Sequence, residues 1–192
     1  MIGIFKISKS IILIVGLYLS SISQAMFIEM GLSHSLKKTT FSADNYIESE
    51  TLSGSISFYI WEQIALETSY TQGYAVRKES DIINPVRTIT QKTDIYGADL
   101  VFGLLGRSSA FQPFIKGGAA YITKKQSIGE EGTPAYTITP KPGVAPSYGI
   151  GFKIKLTETF SLSTSVDVWQ TPLDDGTKTN DTATRTGITW MF

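Results

Sequence analysis

The sequence predicts an all-β fold: an eight-stranded, antiparallel, up-and-down transmembrane β-barrel preceded by a cleavable signal peptide. Three observations predict it. The amino terminus has the layout of an export signal, apolar and small or polar residues alternate in eight later segments, and short and long connections alternate between those segments. Because 192 residues suit one domain rather than two, we expect residues 1–25 to be the signal peptide and residues 26–192 the barrel.

The amino terminus has three zones that are typical of a signal peptide. Lys6 and Lys9 are its only charges, the apolar run of residues 11–19 follows, and small residues then precede the expected cleavage between Ala25 and Met26. The apolar run is too short for a spanning helix, which needs roughly 18 to 20 residues. A short buried amphipathic helix is the alternative, but the run shows no helical period.

Eight segments from residue 26 onward place apolar residues at every second position, which is the period of a β-strand. The clearest is residues 160–169, in which bulky apolar side chains interleave with serines. Pro113 falls near the start of its segment, where a missing N–H is tolerated. The eight segments are residues 26–34, 52–60, 64–71, 93–105, 111–123, 148–156, 160–169 and 185–192.

The connections between these segments alternate in length. Three are tight, at residues 61–63, 106–109 and 157–158, and four are long, at residues 35–51, 73–92, 124–146 and 171–181. In an up-and-down meander this alternation places the short turns at one end and the long loops at the other. Barrels of the bacterial outer membrane have that asymmetry.

The composition of the two strand faces indicates which one is inside. A secreted soluble barrel of the lipocalin kind would show the same period with the faces inverted. Here one face is mostly Ser, Gly, Ala and Thr, which suits the narrow interior of an eight-stranded barrel. The other face is rich in Phe, Ile, Leu, Val and Tyr, which is too much apolar area for contact with water. Lipid is therefore the expected outer solvent.

Charged residues on the small-residue face provide a second prediction. Ions enclosed in a narrow barrel need partners, because an unpaired buried charge costs several kcal/mol. Four acids and four bases share this face, so we expect a neutral network that fills the lumen. The alternative is that they are solvated charges on an open surface. The residues are Glu29, Glu67, Asp99, Lys116, Lys153, Lys155, Asp167 and Arg185.

The last seven residues and residues 113–121 resemble parts of known small barrels. Ile188, Trp190 and Phe192 alternate up to a terminal aromatic, and residues 113–121 are similar to a fifth strand that begins with Pro-aromatic and contains glycines. On these features residues 26–192 resemble the small eight-stranded outer-membrane barrels of Gram-negative bacteria, the OmpA transmembrane domain, OmpX/Ail and OmpW group. The resemblance implies that the three alternating residues are the signal for the barrel-assembly machinery.

Aromatic residues predict the two membrane interfaces. We expect one belt near the short turns and one near the loops. Trp61 and Trp169 have lumen parity, which puts their membership of a belt in question. The short-turn belt would contain Trp190, Phe192, Phe160, Phe111 and Trp61, and the loop-side belt Tyr70, Tyr96, Tyr121 and Tyr148.

Composition restricts the chemistry. The absence of cysteine excludes disulfides, thiolate metal sites, a cysteine nucleophile and a lipid-modified cysteine. A formal net charge of zero gives no reason to expect nucleic acid. The single histidine, His34, lies at the loop end of the first strand without a catalytic partner that the sequence can place. We therefore predict no enzyme activity, no cofactor and no metal site.

The functional prediction is a monomeric outer-membrane barrel with a plugged polar lumen and a structural or surface-interaction role through its extracellular loops. Its predicted partners are outer-membrane lipids and lipopolysaccharide, the barrel-assembly machinery and a host or surface ligand. The alternatives are an OmpW-like conduit for small hydrophobic molecules and a lipid A-modifying enzyme. The loop bases that are candidates for anionic partners are Lys37, Lys38, Arg77, Lys78 and Arg87.

Overall fold

The computed structural model describes residues 27–42, 45–79, 87–130, 132–172 and 178–192. The predicted signal peptide and its cleavage site lie outside these residues. Within them, no helix is long and apolar enough to cross a membrane. The strands in the described part of the chain are β1 (Ile28–Ser42), β2 (Asn45–Trp61), β3 (Ile64–Glu79), β4 (Arg87–Gly103), β5 (Phe111–Glu130), β6 (Thr133–Ile138), β7 (Gly143–Lys155), β8 (Phe160–Pro172) and β9 (Lys178–Met191).

Eight of the nine described strands close into one antiparallel barrel. Each strand pairs with the next in the order β1, β2, β3, β4, β5, β7, β8 and β9, and β9 returns to pair with β1 from Glu29↔Met191 to His34↔Thr186. The short strand β6 pairs only with the far end of β5, outside the barrel wall. The predicted eight-stranded antiparallel barrel is confirmed.

The tight turns lie at one end of the barrel. Residues 62–63, 104–110 and 156–159 make these turns. Both ends of the described chain meet there, since the Phe192 N–H donates to the Ile28 carbonyl at 2.9 Å. The opposite end holds the strand extensions.

These extensions correct the prediction of four long loops. Residues 35–42 and 45–51 are paired strand rather than loop: β1 and β2 continue in register from Leu36↔Glu50 to Thr40↔Tyr46. The strands β3, β4 and β5 likewise continue as far as Glu79, Arg87 and Glu130. Both faces of this outer sheet contain polar side chains, so the alternation that identifies a half-buried strand is absent there.

Side-chain exposure confirms the predicted sidedness. On β7, Ile150 and Ile154 point outward with exposed fractions of 66% and 40%, whereas their neighbour Lys153 is buried. On β8, Leu162 is exposed and Asp167 is only 2% exposed. Bulky apolar residues cover the outside, and charged and small residues face the axis.

Aromatic contacts mark both edges of the apolar band. At the short-turn end, Phe160 and Trp190 stack with ring centroids 5.3 Å apart. On the other side, Tyr70 and Tyr96 are 5.0 Å apart. Trp169 belongs to neither edge, because it points into the barrel and is 4% exposed. Lumen parity was therefore the correct guide for this residue.

Candidate functional site

An ion cluster with residues from four strands occupies the centre of the lumen. The Lys116 ammonium on β5 lies 3.0 Å from Glu67 Oε1 on β3 and 3.0 Å from Asp167 Oδ1 on β8. Arg185 Nε on β9 lies 3.2 Å from Asp167 Oδ2. Asp167 Oδ1 and Arg185 Nε are buried and have no hydrogen bond of good geometry. The ion pairs of Asp167 with Lys116 and Arg185 are therefore mainly electrostatic. The cluster ties four strands together across the barrel axis.

A second pair lies on the short-turn side of this cluster. Lys153 Nζ on β7 donates to Glu29 Oε1 on β1 at 2.5 Å. The Tyr59 hydroxyl on β2 donates to Glu29 Oε2 at 3.0 Å and is 3.1 Å from Lys153 Nζ. The ring of Phe114 lies 5.6 Å from the same ammonium. The pair and its tyrosine satisfy both charges without bulk water.

Two predicted members of the network have other partners. Asp99 is buried and accepts a hydrogen bond from the Ser147 hydroxyl rather than pairing with a base. Lys155 shares the inward face, but it pairs at 2.7 Å with Glu158, a turn residue whose side chain is 92% exposed. Lys155 is the last residue of β7, so its side chain reaches the turn. The structure therefore brings six of the eight predicted residues into the two ion clusters.

Gly149 on β7 provides the space for the central cluster. A Cβ at this position would overlap Asp167 Oδ1 and would lie 2.8 Å from Lys116 Cε. Only glycine therefore allows the ammonium and carboxylate to approach each other past this strand.

Apolar layers close the lumen on both sides of the ions. The layer on the strand-extension side includes Trp169, and that on the short-turn side includes Phe114. The central cavity between them has about 40 Å³, room for only a few water molecules. The first layer consists of Ile95, Ala120, Ile122, Ala145 and Trp169, and the second of Ala65, Val101 and Phe114 with Tyr59 packed against it.

Arg107 covers part of the short-turn mouth. Its guanidinium carbon lies 3.7 Å from the ring centroid of Phe27 and 4.9 Å from that of Tyr59. Gln112 donates to the Arg107 carbonyl at 2.8 Å and so holds the turn in place. Arg107, a turn residue, therefore covers the short-turn side of the apolar layer that includes Phe114 through its cation–π contacts.

The other mouth opens into a vestibule of about 240 Å³ that ends at Trp169. Lys124 on β5 and Asp181 on β9 form an ion pair of 2.6 Å at its edge. Gln126 donates to Gln91 Oε1 at 2.9 Å across the neighbouring strands. The vestibule does not continue into the central cavity, because the apolar layer separates them.

His34 lies on the outer surface and contacts Glu50 at 2.9 Å. Both side chains are exposed. Among the described residues there is no group of three or more His, Cys, Asp or Glu side chains that is arranged to hold a metal ion.

The three alternating residues of the carboxy terminus point away from the lumen. Ile188, Trp190 and Phe192 are all exposed on the barrel exterior. The ring of Trp190 lies 4.6 Å from that of Phe192. Ile188 and Trp190 belong to β9, which closes the barrel by pairing with both β8 and β1.

Sequence reasoning missed several parts of this site. Tyr59 has the same parity as Ser53 and Ser57 on β2, so alternation was a sufficient signal for its inward position. The pairing of Ser147 with Asp99 depends on register, which the sequence does not define. Arg107 is in a turn, where no periodicity indicates a direction.

The fold and the filled lumen define a class of protein, the small eight-stranded barrels with an apolar exterior and an ion-paired interior. Among solved structures the chain has the fold of small outer-membrane barrels. It is similar to the N-terminal β-barrel domain of Pseudomonas aeruginosa OprF, with 15% identity, a TM-score of 0.53 and coverage of 88% of this chain and 98% of that one.

Two further solved structures show the same fold. Ail, the attachment invasion locus protein of Yersinia pestis, has 12% identity, a TM-score of 0.53 and coverage of 88% and 100%. CarO2 of Acinetobacter baumannii has 10% identity, a TM-score of 0.55 and coverage of 88% and 100%. No protein-family model and no curated protein matches the sequence. At these identities the likeness shows the fold alone.

Proposed function

We propose that this chain is an outer-membrane β-barrel protein with a closed lumen, whose role is structural or surface-interacting rather than transport. The observation that supports this most strongly is the ion layer between two apolar layers. A solute passing through would have to separate buried ion pairs, which costs several kcal/mol for each uncompensated charge.

The barrel exterior supports the proposed location. A continuous band of exposed apolar side chains between two aromatic edges needs a lipid environment. We propose that the barrel lies in the outer membrane as a monomer. We also propose that Ile188, Trp190 and Phe192 present the assembly signal to the barrel-assembly machinery.

The strand extensions are the proposed interaction surface. From β1 to β6 the sheet continues beyond the tyrosine edge and presents polar side chains on both faces. Lipopolysaccharide and a surface ligand are the proposed partners of this part of the molecule. A catalytic role is not proposed, since His34 and its partner Glu50 are both solvent-exposed.

Planar-bilayer recording of the purified, folded protein tests the closed lumen. We expect no large, stable conductance steps. A porin of known conductance, reconstituted in the same bilayers, is the positive control. Reproducible large steps from folded protein would refute the proposed closed barrel.

A further inference from the structure

Two lysines face outward at directly opposite positions just beyond the tyrosine edge. Lys92 on β4 and Lys125 on β5 are Cα partners in the antiparallel register. Each lies four residues beyond a tyrosine of the edge, Tyr96 and Tyr121, which are also partners. Since alternation puts residues four apart on the same face, the lysines and the tyrosines share the lipid-side surface.

The positive charge of this pair is only partly balanced by a neighbouring acid, because one carboxylate, Asp94, lies beside two lysines. Like charges directly opposite each other on paired strands are destabilising. The nearest acid, Asp94, accepts a hydrogen bond of 2.8 Å from the Tyr70 hydroxyl, and Lys92 Nζ is 3.9 Å from it. Within the described parts of the chain, Lys125 has no carboxylate partner. An external anion would relieve this repulsion.

The depth of the pair corresponds to the headgroup region. Four residues at about 3.4 Å each, on a strand tilted by about 40°, place the lysines about 10 Å beyond the tyrosines. Tyrosine rings mark the boundary of the hydrocarbon. The lysines are on the side of the strand extensions, which is the outer leaflet in the proposed orientation.

The neighbouring rows indicate what kind of lipid fits. Tyr74 is the Cα partner of Lys92 on its other side, and Thr90 and Ser127 are partners in the next outward row. The lysines are therefore followed, away from the membrane, by hydroxyl groups. This sequence of groups complements a phosphate attached to a sugar more closely than it complements the phosphate of a glycerophospholipid.

We propose that Lys92 and Lys125 bind a phosphate of the lipid A headgroup of lipopolysaccharide, with Thr90 and Ser127 beside the sugar that bears it. This site rests on the proposed outer-membrane location but is distinct from the closed lumen. None of the loop bases singled out from the sequence belongs to this site. The sequence does not reveal the pairing of Lys92 with Lys125, because that pairing depends on the register of the two strands.

The test compares two double variants of the folded, full-length barrel in detergent, each of which loses two positive charges. Lys92→Gln/Lys125→Gln removes the site. Lys141→Gln/Lys155→Gln is the control, since Lys141 lies between β6 and β7 and Lys155 lies at the short-turn end of β7, away from the strand extensions. The faster migration of unboiled protein in gels verifies that each variant is folded, and the affinity for purified lipopolysaccharide is then measured by titration.

We expect the Lys92/Lys125 variant to bind lipopolysaccharide about tenfold or more weakly than the unchanged protein, and the control less than about threefold more weakly. Enzymatically dephosphorylated lipopolysaccharide should bind the unchanged protein as weakly as intact lipopolysaccharide binds the variant. An equal loss in both double variants would overturn the proposal.

Two competitor arms distinguish the source of the phosphate. Phosphatidylglycerol or inorganic phosphate that binds as tightly as lipopolysaccharide, with the same dependence on Lys92 and Lys125, would overturn the assignment to lipid A. Fractionation of cells tests the location separately. Binding that fails while the protein is recovered in the outer membrane would contradict this site and leave the proposed location standing.

Discussion

At the scale of single residues, the interior depends on a few buried charged side chains that pair with one another. Lys116 bridges two carboxylates from different strands, and Lys153 is enclosed by Glu29 and Tyr59. Removing one member of a buried ion pair leaves its partner charged and desolvated, which costs more than the pair itself contributes. Residues of similar chemistry at the barrel ends, such as Lys155, should contribute little.

This difference can be measured with two lysines on the same strand. Lys153→Ala should lower the free energy of unfolding by about 3–5 kcal/mol, because Glu29 loses its cation in the lumen. Lys155→Ala should change it by less than about 1 kcal/mol, since its partner Glu158 is exposed to water. Urea unfolding of the two variants in detergent micelles makes the comparison. Equal losses would show that Lys155 belongs to the buried network after all.

Two glycines provide a second test at this scale. Gly149→Ala should destabilise the barrel by about 1–3 kcal/mol, because the added Cβ displaces Asp167 and Lys116. Gly54→Ala is the matched control on β2, where an added Cβ meets no atom within 4 Å. Unfolding midpoints in the same detergent give the comparison. A Gly149→Ala barrel as stable as the Gly54→Ala barrel would mean that the cluster does not need this space.

At the scale of the elements, alternation predicts the part of each strand that forms the barrel wall. It does not predict the strand extensions. Where one face is the apolar exterior and the other the packed lumen, the period of two is visible, as on β8. In the outer parts of β1 and β2 both faces carry polar side chains, and strand pairing over residues 35–42 and 45–51 replaces the predicted loop. Six of the eight predicted charges meet in the lumen because parity alone determines that they face inward. Their partners depend on register, which parity does not define.

The last strand has a specific predicted role in assembly. Deleting Phe192 should lower the amount of folded barrel in the outer membrane several-fold, because the terminal aromatic of the proposed signal is lost. Phe160→Ala is the control: it removes the ring that stacks on Trp190 but leaves the terminus intact. Immunoblots of unboiled outer-membrane fractions measure the folded form. A normal yield after the deletion, or an equal fall in the control, would contradict the assembly role.

At the scale of the whole molecule, the barrel wall has an apolar outer face and an ion-paired inner face. Bulky apolar side chains cover the exterior, and the interior arranges ions in a layer between apolar groups, with about 40 Å³ of free space at its centre. The vestibule of about 240 Å³ on the far side ends at Trp169 and does not make a channel. The apolar exterior and the closed lumen both result from the same alternation of side chains. Both should therefore be lost if the two strand faces were exchanged.

Site-directed spin labelling tests this arrangement most directly, since the chain has no native cysteine. Labels at Ile150→Cys and Leu162→Cys should collide with oxygen dissolved in lipid and not with a water-soluble nickel chelate. Labels at Ser147→Cys and Ser165→Cys should be immobile and reach neither reagent. If the outward labels collide with the nickel chelate, the exterior faces water, and if the inward labels do, the lumen is open. Either result would contradict a lipid-facing barrel with a closed interior.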